Sequence, residues 1–310
     1  MLKGKDLLSI HDLSSDEVYE ILDLAKVLKT KQKAGIEHPM LKGKTLGMIF
    51  QKSSTRTRVS FETGMYQLGG TALFLSDRDL QIGRGEPIAD TARVLSRYLD
   101  GIMIRTFAHS DVEEFAKYAD VPVINALTDL LHPCQVLTDL LTAQEHKGKE
   151  LKGLKLAYIG DGNNMTHSLM YGCAKVGMHF AAATPAGYEP DAAVTRQATE
   201  DAAQTGGSIT VVHDIYEAAR DADILYTDVW ASMGQEAERE ARKAIFKDYQ
   251  INKELLKVAD KRAIVMHCLP AHRGEEITAD VLEANAAVIF DEAENRLHAQ
   301  KAIMALTMGN

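Results

Sequence analysis

Several short polar segments of this chain carry the residue types that bind or transfer charged groups, and most directly follow a run of apolar residues. The first is Ser53-Ser54-Thr55-Arg56-Thr57-Arg58. A hydroxyl residue at a helix start caps free backbone N–H groups, and those groups together with the helix dipole favour an anion. Two arginines in a first helical turn oppose the dipole unless an anion sits there, and a guanidinium grips phosphate through paired hydrogen bonds. The segment therefore reads as a phosphate cradle as well as a cap. Arg105-Thr106 ends a second apolar run, and His132-Pro133-Cys134-Gln135 lies in the loop after a third. A histidine there can polarise a carbonyl oxygen, although His132 alone reads better as a cap or core residue.

Three more such segments lie in the second half. Gly160-Asp161-Gly162-Asn163-Asn164 begins like a dinucleotide loop but has Met165 where the third glycine belongs. The next apolar run ends at Thr184 instead of an acidic ribose ligand, so no nicotinamide cofactor is expected. Asp228-Val229-Trp230-Ala231-Ser232-Met233-Gly234 offers a carboxylate for a substrate ammonium and a loop ending in glycine. His267-Cys268-Leu269-Pro270 follows the last such run; a zinc reading of His132, Cys134, His267, Cys268 and His272 fits no strong ligand spacing, so no metal is expected.

The elements that must position these segments alternate. Strand patterns at 44–50, 71–75, 101–104 and 121–124 are separated by helical patterns after Ser53 or Ser54, with Val59, Met65 and Leu68 as apolar positions, and at 88–99 and 112–119. A helix over 134–146 runs into Lys147-Gly148-Lys149, read as the boundary. The rhythm restarts with strands at 155–159, 179–183, 208–212, 224–227, 263–266 and 288–290, helices at 167–176, 191–204 and 215–219, and a last helix over 292–306. Such alternation predicts an α/β architecture of two doubly wound domains, each a parallel sheet flanked by helices: 1–147 with the C-terminal helix 292–310, and 148–291.

Composition narrows the function classes. The 310 residues are 45% hydrophobic and 25% charged, as in an ordinary globular protein, and the net charge is −9. With no basic tract, nucleic acid is not an expected partner; with no polybasic or long apolar segment, neither is a membrane. Three cysteines make no disulfide framework, and the start Met1-Leu2-Lys3-Gly4-Lys5-Asp6 is too polar for a signal peptide, so a cytoplasmic location is expected.

Taken together, Ser54-Thr55-Arg56-Thr57, Gln81 within 80–86, Arg105, His132-Pro133-Cys134-Gln135, Asn163-Asn164-Met165, Asp228 with Ser232-Met233-Gly234, His267-Cys268-Leu269-Pro270 and Arg296 resemble the transcarbamoylase family. The resemblance spans essentially the whole chain, departs at no motif position, and points to the ornithine-accepting branch. It implies a carbamoyl-phosphate domain and an ornithine domain, with the last helix returning to the first, and carbamoyl transfer without a cofactor in arginine metabolism. Carbamoyl phosphate would be held by Ser54, Thr55, Arg56, Thr57, Arg105, His132, Gln135, Cys268, Leu269 and Arg296. Gln81 would reach it from a neighbouring subunit of a homotrimer, assembled further in some members. Asn164, Asp228, Ser232 and Met233 would hold L-ornithine, and Thr57, Arg105, His132 and Cys268 would act in catalysis. Other readings are a carbamoyltransferase for another amine such as putrescine or aspartate, a non-catalytic phosphate-binding subunit of the same fold, and a nicotinamide dehydrogenase.

Overall fold

The computed structural model describes residues 2–78, 80–148, 150–232 and 236–309. The chain divides into two compact units, Met1–Leu141 with Asn295–Asn310, and Thr142–Glu294. Helix α1 (Ser15–Lys33) opens the first, held at its start by a capping box between Ser14 and Glu17. Its apolar positions Val18, Ile21, Leu22, Ala25 and Leu28 follow helical spacing and are buried. None of the motif residues lies on this helix.

The first sheet is built from β1 (Thr45–Phe50), β2 (Thr71–Ser76), β3 (Gly101–Arg105) and β4 (Val123–Leu127), in the order β2-β1-β3-β4. Every pairing is parallel. Between the strands run α2 (Thr55–Gln67), α3 (Ile88–Leu95) and α4 (His109–Tyr118), and α5 (Pro133–Lys147) follows β4. Ile49, Ile102, Ile104 and Val123 from three strands pack with Ala92, Val112 and Phe115 from α3 and α4. On α2 the core face is Phe61, Met65 and the following Leu68, whereas Val59 is exposed. The expected strand at 121–124 forms two residues later, after Pro122.

The second sheet takes β5 (Lys155–Ile159), β6 (His179–Ala183), β7 (Ser208–Val212), β8 (Ile224–Thr227) and β9 (Ile264–His267) in the order β7-β6-β5-β8-β9, again all parallel. Its helices are α6 (Asn164–Lys175), α7 (Ala192–Thr205), α8 (Ile215–Ala219), α9 (Arg239–Phe246), α10 (Lys253–Leu256) and α11 (Ala279–Ala284). Two parallel sheets with flanking helices match the expected fold class. The strand expected at 288–290 does not form: α12 runs unbroken over Ala286–Met308. Val288-Ile289-Phe290 is a short apolar run that periodicity cannot distinguish from helix, and no glycine or proline separates it from the helix formers that follow. Its burial does not alternate as a strand's would, since the neighbours Val288 and Ile289 are both covered and only Phe290 is exposed. The final residues of α12, from Asn295, belong to the first unit, the return expected of the C-terminal helix.

Candidate active site

Parallel sheets bind ligands beyond the carboxyl ends of their strands, where the strand order reverses. In the first sheet that switch lies between β1 and β3, whose carboxyl ends lead into the Ser54 segment and Arg105. In the second it lies between β5 and β8, which lead into Asp161–Asn164 and Asp228–Ser232. Sheet order alone thus marks four of the singled-out segments.

In the first unit Ser54 is the N-cap of α2, its hydroxyl accepting from the Thr57 N–H at 3.2 Å. The first turn of α2 contains no acidic residue, so the positive helix end is uncompensated. Thr57 is fully buried, and its Oγ1 accepts from Arg296 Nη2 on α12 at 2.8 Å. Arg105, His132, Gln135 and Arg296 are all buried as well. Burial, followed by the guanidinium charges of Arg296, Arg105 and Arg56, holds the His132 imidazole well below its usual pKa. Those causes place three arginines in the electrostatic neighbourhood of one neutral histidine. Gln135 Nε2 donates to Asp139 Oδ1 at 2.8 Å, one turn along α5. Thr55 is exposed at the start of α2.

Not every residue of these motifs joins the cluster. Arg58 turns outward, bonding Glu62 at 3.0 Å and lying 3.8 Å from the Phe74 ring centre. Cys134 is a core thiol, donating to the Asn125 carbonyl at 3.4 Å, with burial pushing its pKa up to about 12. Gln81 lies exposed before a 3₁₀ turn, its carbonyl accepting from Arg84 and Glu86 N–H.

The second unit gathers a carboxylate and a thiol. Asp228 Oδ1 accepts from Val229 N–H at 2.8 Å and from Cys268 Sγ at 3.2 Å, while Oδ2 accepts from Asn163 Nδ2 at 3.1 Å. Asn163 also caps α6 through its Oδ1, which leaves Asn164 as the first helical residue. Leu269 sits at φ +57, a region costly for a branched side chain, and its N–H donates to His267 Nδ1 at 2.9 Å. With Nδ1 accepting, the neutral ring carries its proton on Nε2, which lies 3.0 Å from Glu276 Oε1. Asp228, His267 and Cys268 are within metal-ligand reach of one another, but both His267 ring nitrogens are thus already engaged. Ser232 is half-buried; Met233 and Gly234 lie outside the described residues. Asn163 and His267 are the contacts that the sequence reading left without a role, though both stand inside its motifs.

Models of known families match both halves of the chain. The aspartate/ornithine carbamoyltransferase carbamoyl-P binding domain matches residues 5–145, and the Asp/Orn binding domain of the same proteins matches 152–307. The chain belongs to the aspartate/ornithine carbamoyltransferase family. Within this family it is 61% identical over 307 residues to an ornithine carbamoyltransferase of Carboxydothermus hydrogenoformans, covering 99% of this chain and 98% of the relative. It is 58% identical over 308 residues to the anabolic ornithine carbamoyltransferase of Pyrococcus furiosus, with 99% and 98% covered. The solved structure of ornithine carbamoyltransferase from that organism superposes with a TM-score of 0.96 at 57% identity, covering 99% of this chain and 98% of the other. The family thus supplies a carbamoyl-phosphate half and an amino-acid half, and the two clusters fall one in each.

Proposed function

We propose that the chain transfers the carbamoyl group of carbamoyl phosphate to the δ-amine of L-ornithine, giving L-citrulline and phosphate. The observation that carries this reading is the buried set Arg105, His132 and Arg296, the last donating to Thr57 in the first turn of a capped helix that lacks acidic residues there. That is a site for a dianionic phosphate next to a polarisable carbonyl.

The amine attacks the carbamoyl carbon, negative charge collects on the carbonyl oxygen, and the carbon–oxygen bond to phosphate then breaks. Thr57, Arg105 and His132 donate to that oxygen. Donors fixed in advance at a developing charge are commonly the largest catalytic contribution, about 3 kcal/mol for one. His132 donates as a neutral imidazole, so it adds no charge to the three arginines. Ser54, Thr55, Arg56 and Arg296 hold the phosphate and stabilise it as it departs, and Gln135 orients the carbamoyl amide. Asp228 binds the α-ammonium of ornithine, with Asn164, Ser232 and Met233 on its α-amino-acid group. Cys268 and the Leu269 carbonyl orient the δ-amine and the carbamoyl group. The amine attacks only when neutral, and its proton passes to the departing phosphate.

The carbamoyl phosphate half is assigned to 1–147 with 292–310 and the ornithine half to 148–291. The protein is read as a cytoplasmic homotrimer of arginine metabolism, in which Gln81 serves a neighbouring subunit. Edge strand β2 exposes Leu73 and Phe74, and α2 beside it exposes Val59 and Tyr66, apolar surface suited to cover by another copy. No helix among the described residues is long and apolar enough to cross a membrane.

An end-point assay with carbamoyl phosphate and ornithine, putrescine, lysine, aspartate or acetylornithine tests the reading. Citrulline and phosphate in equal amounts from ornithine alone is the expected result. Product from putrescine alone would overturn the acceptor while keeping carbamoyl transfer, and no product from any amine would overturn both.

A further inference from the structure

Arg242 has no place in the motifs, yet it is among the most enclosed cations of the second unit. It sits on α9 with Phe246 one turn on, and both are buried. Its Nη1 donates to Asp161 Oδ2 at 2.8 Å and to the Trp230 carbonyl at 2.9 Å, and its Nε donates to Glu238 Oε2 at 3.1 Å. One guanidinium therefore ties the turn after β5 to the loop after β8, the two segments at the switch point of the sheet.

Both ends of this tie are braced. The Asp161 carbonyl accepts from Asn163 N–H at 2.8 Å and from Thr166 Oγ1 at 2.7 Å, fixing the start of α6 where Asn163 reaches Asp228. Gly162 lies so close to the 188–190 backbone that a Cβ would come within 2.3 Å of Pro190 N, so only glycine fits this turn. On the other side the Trp230 indole stacks on Phe246 with centroids 6.2 Å apart and donates to the Tyr249 carbonyl at 3.2 Å. Trp230 stands two residues before Ser232. Glu238, by contrast, is an exposed partner whose loss leaves the tie intact.

We infer that the buried Asp161–Arg242 pair is a positioning pair for the acceptor amino acid, holding the Trp230–Ser232 backbone against the Asp161–Asn164 turn and thereby selecting an acceptor with an α-amino-acid group over a plain diamine. The inference rests on the ornithine reading above. Asp161 and Arg242 touch no reacting atom; they act through the backbone. Arginine is required because its planar fork reaches a carboxylate and a carbonyl in fixed directions, which a lysine ammonium does not reproduce.

The test is steady-state kinetics of the full chain and of Asp161→Asn, Arg242→Lys and Glu238→Gln, each checked for fold by circular dichroism. In the first two variants KM for ornithine rises at least about tenfold while KM for carbamoyl phosphate stays within about twofold. The ratio of kcat/KM for ornithine to that for putrescine falls at least about tenfold, because putrescine has no α-group to misplace. Glu238→Gln matches the parent. Should Arg242→Lys not fold, the near-isosteric Asp161→Asn decides. An unchanged ornithine-to-putrescine ratio, or equal rises in both KM values, would overturn the positioning role. A parent protein that makes no citrulline would instead overturn the ornithine reading itself.

Discussion

His132 predicts a specific acid weakness. The ring is 5% exposed, and burial together with Arg296, Arg105 and Arg56 holds its pKa well below the ordinary value. In the unfolded chain the imidazole titrates near about 6.5. Above that pH it is neutral in both states and adds no pH dependence. As pH falls below about 6.5 the unfolded chain takes up a proton that the folded chain refuses, so stability drops until the depressed folded pKa is reached. One such proton gives a slope approaching about 1.4 kcal/mol per pH unit, so the loss from His132 by about pH 5 reaches at most about 2 kcal/mol.

Urea unfolding of the parent and of His132→Asn, at intervals from about pH 7.5 down to about pH 5, isolates this contribution. Asparagine keeps a donor but does not titrate, and the surface carboxylates common to both proteins cancel in the difference. The parent should lose more than the variant across the interval, by up to about 2 kcal/mol. Phosphate should narrow the gap, because a bound anion offsets the three guanidiniums and lets the imidazole charge more readily. Parallel curves would mean that His132 charges as easily folded as unfolded. That result would refute the neutral donor on which the proposed mechanism depends.

Three further outcomes are expected. Arg56→Ala should lower kcat/KM for carbamoyl phosphate by about 100-fold, while Asp228→Asn should raise KM for ornithine and leave that for carbamoyl phosphate nearly unchanged; initial rates with each substrate varied check both. Lys301 is buried with Nζ 2.8 Å from Gln67 Oε1 and 3.1 Å from His38 Nε2, and burial lowers its pKa to about 8. The unfolded lysine holds its proton up to about 10.4, so unfolding free energy should rise with pH between those values and stay flat in Lys301→Met, as read by chemical denaturation.

What the sequence made legible follows from what parallel sheets require. A ligand site beyond strand ends forces polar residues to follow directly on apolar runs, so Ser54, Arg105, Asp161 and Asp228 stand out without any structure. Which member of a motif points inward is a different matter. Arg56 and Arg58 are two residues apart, about 200° around a helix, so they face different ways, and nothing local says which one meets His132. Cys134 and Cys268 both stand near a histidine, yet one is sealed beneath a carbonyl and the other faces a carboxylate. Helix formers continuing past Phe290 hid the start of α12, since a short apolar run has no period of its own to measure.

Arg242 was hidden more deeply, and the reason is instructive about pairing. Its partner Asp161 stands 81 residues away, in a turn whose glycines invited a nucleotide reading that Met165, at the sixth position, then denied. The one local signal was Phe246, four residues on, which places an arginine on the buried face of a helix. A cation on such a face needs a partner, because a buried charge left unpaired costs several kcal/mol. Searching for that partner among acidic residues at the strand ends of the same half leaves Asp161 and Asp228, and Asp228 is already engaged by Asn163 and Cys268. Burial inferred from helix period, followed by a demand for charge balance, therefore reaches the Asp161–Arg242 pair by an argument the motifs alone do not contain.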